Sequence, residues 1–144
     1  MIKIDGVESL EKTISGLVSD LKNIPAEIVK VLSTVRNQIV FDTTSGIDIN
    51  GKPFEAYSDG YKKVRKEHHR QENPPSLTYT GDMLRAMKVF RIQNGGELRF
   101  NSSSANNLAV KHNEGKGVPK REFFGMNNKH LANIEMRIFG SVKL

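Results

Sequence analysis

The chain predicts an α+β domain: a long N-terminal helix, or a helix pair kinked at a proline, packed on a small antiparallel sheet with short helices around it. Three observations carry this. Apolar residues recur at steps of three and four across residues 6–42, two alternating segments flank Asn94-Gly95-Gly96, and capping residues and glycines bracket several short helical stretches downstream. At 144 residues the chain is expected to form a single domain, 1–144, with a helical segment at 6–42 and a mixed hairpin and short-helix core at 43–144.

Ile2 and Ile4 alternate with Lys3 and Asp5, the pattern of a short opening strand, and Asp5 precedes Glu8 at capping-box spacing. Val7, Leu10, Ile14, Leu17 and Leu21 then form one apolar stripe, continued by Ile28, Val31, Leu32, Val35 and Ile39 beyond Pro25. Pro25 either starts a second helix or kinks a single long one. Both signs of charge on the polar faces favour core packing over a membrane surface.

Residues 43–61 read as loop, with Asn50-Gly51 as a tight turn across which Ile47 and Ile49 pair with Phe54. Ser58 caps a short helix carrying Tyr57, Tyr61 and Val64 on one side. Residues 66–76 are polar and end in Pro74-Pro75, as a mobile or extended loop would. Thr80 caps another short helix. Lys88–Ile92 and Glu97–Asn101 alternate as a hairpin around Asn94-Gly95-Gly96. Ser102–Ser104 cap a helix from Ala105 to Asn113, closed by Gly115. Asn127 or Asn128 caps a last helix with Leu131, Ile134 and Ile138 on its apolar side.

Composition narrows function. No apolar run is long enough to span a bilayer, the longest being Ile39-Val40-Phe41. No apolar stretch follows Met1–Asp5, so no secretory signal is expected. Without cysteine there is no disulfide framework, thiol nucleophile or zinc–thiolate site. A hydrophobic share of 37% supports a modest core, which such a chain can complete by assembling with copies of itself. The net charge of +6 is uneven: residues 1–60 carry 6 basic and 9 acidic side chains, residues 61–144 carry 16 and 7. The basic part can face nucleic acid or an acidic protein surface, or simply keep the chain soluble.

Catalytic signatures are sparse. His68 and His69 are adjacent and point to different sides of a helix, and His112 and His130 stand apart. His112-Asn113-Glu114 is reminiscent of an HNH nuclease without the further histidines such a site needs. Phosphate-cradling glycine loops and a nucleophile elbow are missing, and no carboxylates pair at a spacing suited to acid–base work. The expectation is therefore a non-enzyme with no cofactor and no metal. Tyr57 and Tyr61 beside Lys62, Lys63, Arg65, Lys66 and Arg70 are candidate nucleic-acid contacts, aromatic rings to stack on bases and cations for phosphates. The alternative is an amphipathic helix with tyrosines inward and lysines wet.

Three blocks, in order, carry a resemblance. The first is Gly46-Ile47-Asp48-Ile49-Asn50-Gly51-Lys52-Pro53-Phe54, followed by Tyr57-Ser58. The second is Leu77-Thr78-Tyr79-Thr80-Gly81-Asp82-Met83-Leu84. The third is His112-Asn113-Glu114-Gly115 and then Val118-Pro119-Lys120-Arg121-Glu122-Phe123-Phe124-Gly125-Met126. Over about residues 40–135 the chain resembles the phage virion morphogenesis family, the small tail-completion and head–tail joining proteins of Mu-like and P2-like phages and prophages. Asn113 stands where that family often has glutamine, and Glu122 near where it has an apolar residue.

The resemblance implies a virion protein, assembled in the bacterial host cytoplasm, that caps the tail or joins it to the head. It implies a homo-oligomeric ring partnered by other tail and neck proteins, with no membrane partner. Basic residues facing the ring lumen would ease DNA passage without specific binding. The turn at Asn50-Gly51 and Pro53 presents Phe54 and Tyr57, and Pro119 and Gly125 pin a segment in which Arg121 and Phe124 can face a neighbour. Interface candidates are thus Phe54, Tyr57, Arg121, Phe123 and Phe124, with one of the two adjacent phenylalanines inside the monomer. The same positions serve equally as turn and core residues of the monomer alone.

Overall fold

Thirty-eight consecutive residues, Val7–Thr44, form one α-helix (α1) that runs through Pro25. The structure is a computed structural model that describes residues 7–93 and 95–141. The opening strand expected at Ile2 and Ile4, and the Asp5 cap, lie outside the described residues. The second half of α1 presents its apolar stripe to the core: Val31, Leu32, Val35 and Ile39 are buried. A proline is tolerated here because the tertiary packing of that stripe outweighs one missing backbone hydrogen bond.

Five further helices and strands follow before the last helix: α2 Asp59–Glu67, α3 Asp82–Arg85, β1 Met87–Ile92, β2 Gly95–Phe100 and α4 Ser103–Glu114; α5 is Asn128–Ser141. The α+β class is as expected. β1 and β2 pair antiparallel with Met87 opposite Phe100 and Ile92 opposite Gly95, so Gly95 and Gly96 belong to the strand rather than to the turn. The reason lies on α1. A Cβ at Gly96 would come within 3.0 Å of Leu32 Cδ1 and 3.2 Å of Val29 Cγ2. Glycine lets the hairpin lie directly on the helix.

Behind the hairpin, Met87, Phe100, Met83, Leu84, Ala105, Ala109 and Phe123 join the α1 stripe in one core. Arg36 Nε ties α1 to the strand by donating to Met87 O at 2.6 Å. α5 runs antiparallel along α1: His130 at its start lies beside Gln38 and Asp42, and Arg137 further on pairs with Glu27 at 3.1 Å. Asn127 caps α5, its Oδ1 accepting from His130 N at 2.8 Å. The expected apolar side of α5 is corrected in part. Ile134 packs on the core, whereas Leu131 is exposed and His130 is buried.

The α4 caps are as expected, with Ser102 accepting from Ala105 N and Gly115 closing the helix at φ 73°, while the helix itself starts two residues before Ala105 and ends one after Asn113. The cap of α3 moves by one residue: Gly81, at φ 83°, is the cap, while Thr80 Oγ1 accepts from Asp82 N at 3.3 Å.

Candidate functional site

The first block folds as its turn residues dictate. Asp48 Oδ1 accepts from Asn50 N and Lys52 N, both at 2.8 Å, and Gly51 takes φ 79°. Across the turn Ile47 bridges to Pro53, and Phe54 N donates to Gly46 O at 2.8 Å. This turn is stitched to the third block: Ile49 N donates to Glu122 O at 2.8 Å, and Asn127 Nδ2 donates to Ile49 O at 3.0 Å.

Ser58 then starts α2, accepting from Tyr61 N. Tyr57, Tyr61 and Arg65 are four residues apart and share one face. That face turns inward, which corrects the expectation for Val64 and Arg65: Val64 is 42% exposed and Arg65 only 1%. The loop after α2 explains the exchange. Its backbone carbonyls need donors once covered, and Arg65 supplies them, from Nε to Gln71 O and from Nη2 to Thr78 O at 3.0 Å. The guanidinium also lies over three rings, 4.7 Å from the centroid of Tyr57, 5.6 Å from Tyr61 and 5.8 Å from Tyr79. The segment expected to be mobile or extended is therefore anchored at its end, with Pro75, Ser76 and Leu77 buried.

A second arginine enters from the third block. Arg121, 3% exposed, donates from Nε to Glu55 O at 2.9 Å and from Nη2 to Ala56 O at 3.2 Å, and lies 4.9 Å from the Tyr57 ring. Tyr57 thus has two guanidinium groups within 5 Å of its ring, while its hydroxyl accepts from Leu77 N at 3.1 Å. Leu77 sits at φ 52°, a conformation an L side chain adopts only when its surroundings hold it.

These residues floor a groove of about 690 Å³. One wall is Leu77, Tyr79 and Met83 of the second block. The opposite wall is Ala105 and Leu108 of α4 with Val118 and Pro119 of the third. The second and third blocks and the Tyr57-Ser58 pair that follows the first, far apart in the chain, surround one opening. Tyr61, Tyr79 and Leu108 are its exposed large hydrophobic side chains, at 39%, 38% and 44%, and Pro119 is exposed beside them. No ion pair to Arg65 or Arg121 forms among the described residues, so the floor is cationic without a carboxylate partner.

His112 also faces this groove. Burial, reinforced by the Arg121 charge, lowers its pKa below the ordinary histidine value, and its Nδ1 is buried without a hydrogen-bond partner among the described residues. Its two neighbours are engaged elsewhere. Asn113 Oδ1 accepts from Phe123 N and Phe124 N at 3.0 and 3.1 Å, its Nδ2 donates to Phe124 O at 2.7 Å, and Glu114 pairs with Lys116 at 2.6 Å. The HNH-like triplet is a helix terminus that pins the Phe123–Phe124 segment. Among the described residues no three His, Asp or Glu side chains gather as a metal-binding group.

The interface candidates are placed as follows. Phe54, Tyr57, Arg121 and Phe123 are all buried within the subunit, at 7% exposure or less. Much of their apolar surface and their donors is taken up by the monomer itself, and of these four Tyr57 and Arg121 line the groove, from its floor. Phe123 is the inner member of its pair, and half-buried Phe124 borders a second hollow with Phe100 and Val110. Of the nucleic-acid candidates, Arg65 is withdrawn by burial, Lys62 is half-buried, and Lys63, Lys66 and Arg70 are exposed. Sequence reading missed Leu108, and it took Val118 and Pro119 as block residues rather than as site candidates. The spacing of Ala105, Leu108 and His112 on α4 was the signal available for the first. Compared with protein-family models, curated proteins and solved structures, the chain finds no match.

Proposed function

We propose that this chain is a structural virion morphogenesis protein of a tailed phage or prophage, acting in tail completion or head–tail joining by assembling into an oligomeric ring. One observation carries the reading: the second and third blocks on which the family resemblance rests, with the Tyr57-Ser58 pair that follows the first, surround a groove with exposed Tyr61, Tyr79 and Leu108 at its edge. A contiguous apolar opening floored by rigidly held aromatics suits a contact with another protein. Repeating one heterologous contact closes a ring, which also extends the modest core of each subunit. Tail and neck proteins are the partners of such a ring, and the virion, assembled in the host cytoplasm, is its location.

Size-exclusion chromatography with light scattering tests this. A discrete mass near six subunits that changes little with salt is the expected result.

A second reading, a small basic nucleic-acid-binding protein, is favoured by one feature. Exposed Arg70 lies 5.6 Å from the ring of half-open Tyr79, and α2 adds the exposed Lys63 and Lys66. Phosphate binding weakens steeply as salt rises, whereas an apolar protein contact does not.

A further inference from the structure

The groove and the start of α1 lie at opposite ends of the same helix. Gly46, just beyond the C-terminus of α1, packs against Pro74 and Pro75 O, and the neighbouring Leu77 lines the groove. Val7, at the other end, is 37 residues from Thr44, roughly 55 Å along the helix axis. Arg137 of α5 and Gly95 of β2 meet α1 at Glu27 and Ile28. Residues 7–22 extend N-terminal to both contacts, over about 23 Å of helix. With α1 continuous, these turns cannot fold back into the groove of their own chain.

The two ends are chemically matched. Val7, Leu10, Ile14, Leu17 and Leu21 recur at steps of three and four along residues 7–21, a stretch with three carboxylates (Glu8, Glu11, Asp20) and one lysine. The groove is apolar-walled, with Arg65 and Arg121 in its floor and Asp82, itself paired with Arg85, at its lining. The segments 61–70 and 111–121 that supply these two arginines carry nine cations and two carboxylates in all. An amphipathic helix laid in such a groove is a common recognition mode, with apolar residues as anchors and charges setting orientation.

We infer that the groove receives the first turns of α1, residues 7–21, from a second copy of this chain. The inference rests on the ring reading and supplies its contact. Because knob and groove sit at opposite ends of one subunit, the contact is head-to-tail, and each copy offers a free end until the ring closes.

Two full-length variants test it. Leu108→Glu places a carboxylate in the exposed wall of the groove, and the double change Leu10→Glu with Leu17→Glu breaks the apolar face of the helix. Each alone should weaken self-association by at least ~30-fold, the loss typical of a central anchor. Mixed, they retain one intact groove and one intact helix, so they should form a discrete pair of chains that does not grow further. Far-UV circular dichroism checks that each is folded. As a gentler alternative, Leu17→Cys and Leu108→Cys chains, free of competing cysteines, should on mixing and oxidation give the 17–108 disulfide in preference to either symmetric one.

Wild-type oligomers whose variants assemble normally, or whose mixture forms no pair, overturn the inference and leave the ring reading intact. If Leu108→Glu blocks assembly and the α1 variant does not, a different occupant fills the groove and the inference again fails. A wild-type chain that stays monomeric when concentrated also overturns it, since both halves of the contact are present in free copies. The ring reading then rests on assembly at the tail end alone.

Discussion

Replacing Arg65 by alanine is the sharpest perturbation of the groove floor. The side chain is 1% exposed, donates to Gln71 O and Thr78 O, and lies within 6 Å of the rings of Tyr57, Tyr61 and Tyr79. Hydrogen bonds from a charged donor contribute about 1.5–3 kcal/mol each, and two carbonyls lose their donor. Removing the buried cation returns part of this as relieved desolvation, leaving a net loss of about 3–4 kcal/mol. For a domain of this size that lowers the melting temperature by roughly 10 °C. Arg65→Lys keeps the charge but not the planar fork, and should lose about half as much. The site carries its own probe. Those three rings are the only tyrosines in a chain without tryptophan, so the tyrosine band of the near-UV circular dichroism reports on this groove. The expected outcome is a lower melting temperature with a collapsed tyrosine signal at temperatures where the far-UV spectrum is native. An Arg65→Ala protein with both properties unchanged would refute the view that this arginine holds the loop on α2.

Other consequences are equally open to measurement. Gly96→Val should lose about 1–3 kcal/mol in urea unfolding, because its side chain is driven into Leu32 and Val29. Asn113→Ala removes three hydrogen bonds to the Phe123–Phe124 backbone and should cost about 2–3 kcal/mol, with faster amide exchange at residues 121–126. His112 and His130 both have pKa values lowered mainly by burial. The unfolded chain therefore binds more protons, and stability falls as pH drops below the ordinary histidine value, levelling off below the folded values. Urea midpoints should decline from pH 7.5 toward pH 5, and replacing both residues with leucine should flatten that part of the decline.

Local pattern was sufficient for much of this fold. The α1 stripe, the hairpin, and the serine and glycine caps of α4 are encoded by residues within a few positions of one another, where periodicity and capping act. The groove was less legible because its contacts are remote. Arg65 reads as a wet cation on a basic helix until the carbonyls of Gln71 and Thr78 close over it. Arg121 meets Glu55 O across 66 residues, a partner that no spacing rule announces. Gly95 and Gly96 look like turn residues, and only the approach of α1 shows that they make room for a helix. Phe54 and Tyr57, beside a tight turn, look ready for a partner, yet the monomer encloses them.

The central claim is self-assembly through one repeated contact, and its most direct test is molar mass in solution. Light scattering on eluting protein, across concentration and salt, should show a discrete species near six copies of the 16.1 kDa chain. Raising salt should weaken it only slightly, since apolar burial dominates the contact and charge chiefly orients it. A monomer at every concentration, binding DNA with an affinity that collapses as salt rises, would contradict the account and establish the basic face of α2 as the functional surface.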